Sequence, residues 1–180
     1  MNYELIETQR LILQKITVED YVYLFKNKSI GEIMAILGLS SKEEFLKEKF
    51  KYDNGYKTRI DSFVQFQLID KSTEKIIGGC SLHNWYTEHR RAELGYALFN
   101  DANKGKGFMT EAVKEIIAYG FESMNLHRIE AYVAPDNIPS LNLMSKFSFT
   151  KEGLLREHYF YNEKYDDSIV FSLLRSEANI

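Results

Sequence analysis

The chain has 180 residues, 44% of them hydrophobic and 27% charged, with a net charge of −3. This is ordinary for a globular protein, long enough to bury a sizeable core, and it excludes a disordered chain. The lack of a basic excess argues against a general nucleic-acid binder, and a single cysteine, Cys80, allows neither an intramolecular disulfide nor a cysteine-rich zinc site.

The opening Met1-Asn2-Tyr3-Glu4 has no basic region leading into an apolar block. No run approaches the roughly 18 apolar residues of a membrane span. The expectation is a cytoplasmic protein with no membrane partner. Arg10 to Ile16 alternates Leu11 and Leu13 with polar neighbours and predicts a first strand. Thr17 caps a helix over Val18 to Lys28, with Asp20 as its capping-box partner. Ile30 to Leu39 is apolar and interrupted by glycine, and gives no clear element. Ser40 or Ser41 caps a second helix over Lys42 to Tyr52, ended by Asn54-Gly55. Ser62 to Asp70 alternates Val64, Phe66 and Leu68 with Gln65 and Gln67. Lys71-Ser72-Thr73-Glu74 connects it to a returning strand, Lys75 to Asn84.

A further strand, Arg91 to Phe99, leads through Asn100-Asp101-Ala102 into a loop and a long helix. The apolar stripe of that helix is Met109, Ala112, Val113, Ile116, Ile117, Gly120, Phe121 and Met124. Arg128 to Val133 is a short strand, and Asp136 or Asn137 starts a helix ending near Phe147. Two closing strands, Thr150 to Tyr161 and Asp167 to Leu174, turn at Asn162-Glu163-Lys164. With no linker and no repeat, this order predicts one α/β (α+β) domain over residues 1–180 with a mixed sheet. Arg91 to Val133 should form a parallel crossover.

The most informative stretch is Asn103-Lys104-Gly105-Lys106-Gly107-Phe108-Met109-Thr110-Glu111. Small residues before the first turn leave the N–H groups of Lys104 to Met109 uncovered at the positive end of a helix dipole. That is a site for a phosphate or pyrophosphate. A Walker A loop fails because Gly105-Lys106 is followed by Gly107 rather than Ser or Thr. A dinucleotide fingerprint needs glycine or alanine where Thr110 stands, and a kinase loop needs partners that are absent.

Four motifs recur in order: Glu93-Leu94-Gly95-Tyr96-Ala97-Leu98; Gly105-Lys106-Gly107-Phe108-Met109-Thr110-Glu111-Ala112; Asn137-Ile138-Pro139-Ser140; and Phe149-Thr150-Lys151-Glu152-Gly153-Leu154-Leu155-Arg156-Glu157. On these motifs, from about Thr8 to Leu174, the chain resembles the GCN5-related N-acetyltransferase superfamily, in the branch of ribosomal-protein N-terminal acetyltransferases. The resemblance implies a strongly twisted sheet in which two central strands splay apart to receive acetyl-CoA. The pyrophosphate would lie on the amides of Lys104, Gly105, Lys106, Gly107, Phe108 and Met109, at the loop that ends with Thr110. The pantetheine arm would pair with the backbone of Tyr96, Ala97, Leu98 and Phe99 like an added strand. Two positions depart from the pattern: Ala102 replaces a side-chain anchor before the loop, and Ser148 replaces a glycine that often takes positive φ.

Acetyl transfer needs a neutral amine, a polarised thioester carbonyl and an acid for the leaving thiolate. An α-amino group with a pKa of about 7.7–8.0 costs roughly 1 kcal/mol to neutralise at pH 7, against about 4.6 kcal/mol for a lysine amine. A modest base therefore suffices for an N-terminal or similar small amine. Glu93 is the candidate base, sharing its strand face with the small residues Gly95 and Ala97. Its alternative role is a strand carboxylate paired with Arg90, Arg91 or Arg128. Ser140 is the candidate acid, since the related branch uses a serine there near the thiol. Asn137, one helical turn earlier, would hold the cofactor arm.

Tyr96 and Tyr132 are reserve acids. His83, His89, His127 and His158 have no metal-like spacing, and no metal is called for; His158 and Tyr159 could line the acceptor pocket. Cys80 reads as core. The acceptor is left open between a protein N-terminus, ribosomal or other, and a small amine such as a polyamine, amino acid or antibiotic. A non-catalytic acyl-CoA sensor is the rival class, and a homodimer is left open.

Overall fold

The computed structural model describes residues 3–54 and 62–178. β1 (Leu5–Glu7), a strand the sequence pattern did not reveal, pairs antiparallel with β2 (Leu11–Ile16). α1 (Val18–Asn27) begins at a full capping box, in which Thr17 and Asp20 satisfy each other's backbone N–H. α2 (Ile30–Leu37) occupies the stretch left unassigned above. Ser29 and Glu32 form a second capping box, and Gly38 closes the helix at φ 68, where a side chain would be strained. α3 (Lys42–Asn54) follows; residues 55–61 lie outside the described residues.

β3 (Ser62–Asp70), β4 (Lys75–Tyr86) and β5 (Arg91–Leu98) form the meander. A 3₁₀ turn at Asp101–Asn103 leads into α4 (Phe108–Glu122), then β6 (Arg128–Val133), α5 (Ile138–Lys146), β7 (Thr150–Tyr161) and β8 (Lys164–Leu174). β4 runs two residues past its expected end. β8 starts three residues early because the turn is only Asn162-Glu163, both at positive φ. Ser148 stands at φ 57, so it keeps the conformation of the glycine it replaces.

The eight strands form one sheet in the order β1-β2-β3-β4-β5-β6-β8-β7. α4 and α5 share the larger core with Leu11, Leu13, Phe66, Leu82, Leu94 and Ile129. Alternation along the strands then sends Gln65, Gln67, His83 and Glu93 to the opposite face. That face is covered in part by α1–α3, whose own core is built on Ile16, Tyr21, Leu24, Ile33, Leu37 and Phe45. Tyr21 donates to Gln65 and Gln67 donates to the Ile36 carbonyl, so the buried amides are satisfied where these helices cross the sheet.

β5 and β6 are the parallel pair, and their register holds for three steps only: Arg91 with Arg128, Ala92 with Ile129, Glu93 with Glu130. Beyond Glu93, β5 continues on β4 and β6 continues on β8. The two strands therefore part at Glu93 and Glu130, which is the expected splay.

Charge staples the closed end of that V. Arg91 reaches Glu130 at 2.8 Å, and Arg128 reaches Glu130 at 2.7 Å and Glu152 at 2.7 Å; the buried Ser172 donates to Glu152. Arg128, then Ser172, holds the Glu152 carboxyl at about 2. A depressed carboxylate contributes stability that is present above its ordinary value of 4.5 and is lost as pH falls toward 2. Glu152→Gln is expected to cost about 1 kcal/mol at pH 7, because the pair is partly screened by solvent. Urea unfolding at pH 7 and pH 3 checks this: the difference between parent and variant should shrink at the lower pH.

Candidate active site

The glycine loop is built as a cradle. Gly105 and Gly107 stand at φ 72 and φ 80, and Gly107 caps α4 without any side-chain hydrogen bond. Both need glycine, because the left-handed region costs other residues roughly 1–2 kcal/mol. Among the described residues, the N–H groups of Gly105 to Thr110 find no partner; the first bonded amide of α4 is that of Glu111, to the Gly107 carbonyl at 3.1 Å. The expected cradle is shorter at one end, since the Lys104 N–H is already donated to the Asp101 carbonyl at 3.0 Å. The Phe99 N–H is likewise spent on the Ile77 carbonyl, so an added strand along Tyr96 to Phe99 could use only the Phe99 carbonyl at that position.

At the mouth of the V, Glu93 is half-buried and does not pair with any of the three arginines considered for it. Arg91 and Arg128 go to Glu130, and Arg90 goes to Asn125. Glu93 instead accepts from Asn84 at 2.8 Å and lies 3.3 Å from His83 Nε2, while His83 Nδ1 contacts the Ser81 hydroxyl at 3.1 Å. Burial pushes the Glu93 carboxyl up, but the hydrogen bond and charge of His83, with Asn84, outweigh it and hold the group below its ordinary value. It is a carboxylate at neutral pH. His83 lies over Gly95, where a β-carbon would come within 2.7 Å of the ring. That close approach explains the glycine two residues after Glu93.

Around Glu93 lies a cavity of about 250 Å³ lined by Tyr86, Tyr132, His158 and Tyr159 together with Arg91 and Glu130. His158 contacts the rings of Tyr132 at 5.0 Å and Tyr159 at 4.7 Å. Because Glu130 is neutralised by Arg91 and Arg128, Glu93 is the carboxylate whose charge faces the cavity without an arginine. Aromatic faces with one such carboxylate suit an ammonium or amine. A larger groove of about 940 Å³ lies between α2, α3 and Phe99. It holds acidic and basic helix residues but no strand carboxylate, so the smaller cavity is the chemical one.

Ser140 and Tyr96 are neighbours on the other side of β5. Asn137 caps α5, its side-chain oxygen accepting from the Ser140 amide at 3.2 Å, which leaves its NH₂ to donate elsewhere. Tyr96 Oη is buried and, among the described residues, is the one buried side-chain polar atom without a hydrogen-bond partner. Burial pushes its pKa up, and the neighbouring Ser140 hydroxyl pulls it part of the way back, although the two do not meet in hydrogen-bond geometry. An orphaned phenol beside a serine, at the splay of two strands, is free to donate to a polar group entering there. Ser140 is thus brought together with Tyr96, while Glu93 lies on the opposite face. Tyr132 joins the Glu93 cavity instead. Cys80 is 1% exposed and burial pushes its thiol up, so it sits in the core as expected. His89 contacts the Tyr86 ring at 6.3 Å.

Splayed parallel strands, a bare glycine-capped helix and a carboxylate at the fork are the arrangement that the resemblance to the GCN5-related N-acetyltransferases implies. A family model described as an acetyltransferase (GNAT) domain matches residues 10–150, and the chain belongs to that family. It is an N-acetyltransferase. It is 36% identical over 175 residues to the uncharacterized N-acetyltransferase p20 of Bacillus licheniformis, covering 97% of this chain and 98% of that protein. Among solved structures, the ribosomal-protein-S5-alanine acetyltransferase of Vibrio fischeri shares the fold with a TM-score of 0.68 at 24% identity, covering 98% of this chain and 100% of the other. The spermidine N-acetyltransferase of Vibrio cholerae, in complex with CoA and spermine, has a TM-score of 0.69 at 25% identity, covering 94% and 98%.

The GNAT family uses acetyl-CoA, and the residues present fit it: open amides at a left-handed glycine pair, a strand edge left unpaired past Glu93 and an orphaned buried hydroxyl. Among the described residues, no helix is long and apolar enough to cross a membrane, and no three His, Cys, Asp or Glu side chains gather as a metal site.

Arg10 was missed in the sequence. It anchors the glycine loop through Glu111 and the Lys106 carbonyl, and only a tertiary contact between the β1–β2 connection and the start of α4 reveals it.

Proposed function

We propose that the chain, as one domain with its core over about residues 8–174, transfers acetyl from acetyl-CoA directly to a primary amine held beside Glu93. The observation that carries this is the Glu93 carboxylate, free of arginine, at the fork where β5 and β6 part. Bound acetyl-CoA supplies an activated acetyl thioester. Gly105 to Thr110 offer backbone donors for its pyrophosphate, and Asn137 offers its NH₂ to the pantetheine arm. Glu93 orients the amine and takes its proton, directly or through a water, as the C–N bond forms. Ser140 donates to the sulfur as the C–S bond breaks and the electron pair moves to it. Direct transfer is supported by Cys80, whose burial and raised pKa leave no accessible thiolate to carry the acetyl group.

The acceptor class follows from the cavity. Its volume suits the amine-bearing end of a molecule, with the remainder outside, so a peptide N-terminus and the end of a small polyamine both enter. A peptide N-terminus is favoured on chemical grounds, because Glu93 is held low and a weak base serves best for an amine that is already close to neutral. We place the reaction in the cytoplasm, where acetyl-CoA is available and a lone cysteine stays reduced. Self-association to a homodimer belongs to the same proposal and is supported by the exposed Leu154, Leu155, Phe160 and Tyr165 of the β7–β8 hairpin.

The test is release of free CoA thiol from acetyl-CoA over a library of peptides with free N-termini, polyamines, amino acids and aminoglycosides. Amine-dependent release is expected, strongest for peptides. Binding of acetyl-CoA without release for any amine would replace the enzyme with a coenzyme sensor. With an acceptor in hand, Ser140→Ala is expected to lower the single-turnover rate about a hundredfold to a thousandfold while leaving acetyl-CoA affinity within about twofold, since the pyrophosphate donors lie on another helix. An unchanged rate would move the donor role to Tyr96.

A further inference from the structure

Arg10 stands in the short connection between β1 and β2, far in sequence from the glycine loop, yet it is bound to that loop on several sides. Its Nε donates to Glu111 Oε2 at 2.7 Å, and its backbone N–H donates to Glu111 Oε1 at 2.6 Å. Thr8 donates to the same carboxylate at 2.5 Å. Nη1 donates to the Lys106 carbonyl at 2.8 Å, and the guanidinium lies 4.5 Å from the centre of the Phe108 ring. The remaining nitrogen, Nη2, makes no hydrogen bond among the described residues. It stands beside Gly107, where a β-carbon would lie 3.4 Å away.

The charges explain why an arginine belongs there. Burial raises the Glu111 carboxyl, but Thr8 and Arg10 outweigh it and keep the group ionised. A carboxylate in the first turn of α4 favours the helix dipole but opposes an anionic ligand at the same end. Arg10 cancels that charge. Of the two loop lysines, Lys104 is tied to Asp101 at 2.6 Å. The guanidinium fork is matched to phosphate oxygens as an ammonium is not.

The geometry points to Arg10 as a further pyrophosphate-binding residue: Nε and Nη1 fix the loop through Glu111 and Lys106, and Nη2 is the charged donor offered beside the Gly107 amide. The inference rests on acetyl-CoA being the ligand of the loop and adds a fixed cation to its anion site.

Acetyl-pantetheine carries the same thioester arm without the pyrophosphate and nucleotide, so it separates an anion contact from a general distortion. Affinities of both ligands are measured on parent, Arg10→Gln and Arg10→Lys, by calorimetry for acetyl-CoA and by NMR titration for acetyl-pantetheine. The parent should prefer acetyl-CoA. Arg10→Gln should weaken acetyl-CoA about tenfold to a hundredfold, the range for a charge-assisted hydrogen bond, and leave acetyl-pantetheine within about twofold. Arg10→Lys should fall between, and the salt dependence of acetyl-CoA binding should flatten in Arg10→Gln.

Equal losses for the two ligands would make Arg10 a structural residue only and overturn the inference, as would no loss for acetyl-CoA. If Arg10→Gln does not fold, Arg10→Lys decides by the same ratio. A parent that does not prefer acetyl-CoA would instead overturn the underlying reading of the loop.

Discussion

Glu93→Gln is expected to lower turnover by roughly 10²–10⁴, the usual range for a positioned acid or base, while acetyl-CoA affinity stays unchanged. Glutamine fills the same space and can still accept from Asn84, so the cavity wall should survive; what is lost is the charge that holds an ammonium and the oxygen that takes its proton. The pH dependence follows from two groups. Glu93 lies below its ordinary 4.5 because His83 and Asn84 outweigh its burial, so it is ionised throughout the neutral range and contributes no inflection there. The amine, with a pKa of about 7.7–8.0 for an N-terminus, supplies the inflection instead. Parent and variant should both speed up as pH rises through that value, and the gap between them should narrow once the amine arrives neutral. Steady-state kinetics from pH 6 to pH 9 on one confirmed acceptor would show this. Superimposable profiles would reduce Glu93 to a residue that merely orders His83 and Asn84.

The fold was legible in the sequence where its pattern was periodic or punctuated. Thr17-x-x-Asp20, the alternation of Ser62 to Asp70 and the apolar stripe of α4 each specify one element by local physics. α2 escaped because Ile30 to Leu37 is apolar nearly all round and carries Gly31, which hides the stripe, although Ser29-x-x-Glu32 marked its start. β1 escaped because three residues carry no period at all. For the site, the glycine pair marked a bare helix start in the sequence, and the structure adds that Gly105 and Gly107 both stand at positive φ. The cavity around Glu93 was legible only in pieces. Tyr86, Tyr132 and His158 come from three different strands, and nothing local in their sequence says that β5 and β6 part beside them. The arginines near Glu93 in the chain were the reasonable partners by proximity. Register sent Arg91 and Arg128 to Glu130 instead, because Glu130 stands directly opposite Glu93 and carries two charges within reach.

Replacing Gly107 with tryptophan is expected to abolish measurable acetyl-CoA binding. Two effects act together there, and controls separate them. Gly107 stands at φ 80, so any side chain costs roughly 1–2 kcal/mol of stability. Gly107→Ala isolates that cost: the fold survives, the melting temperature drops by a few degrees, and affinity falls only modestly because a methyl leaves most amides accessible. Tryptophan adds bulk at the point where Phe108, Met109 and Thr110 offer their unpartnered amides, and its indole must leave through the same opening that a pyrophosphate would enter. Arg10 Nη2, 3.4 Å from the new β-carbon, blocks one direction of escape. Cys80→Ala, a core substitution on β4 rather than in the loop, serves as the reference for a destabilised but unobstructed protein. Circular dichroism establishes that each variant is folded, and calorimetry then reads the affinity. A folded Gly107→Trp protein that binds acetyl-CoA as tightly as the parent would remove the pyrophosphate from this helix, since no bound phosphate could share that space with an indole.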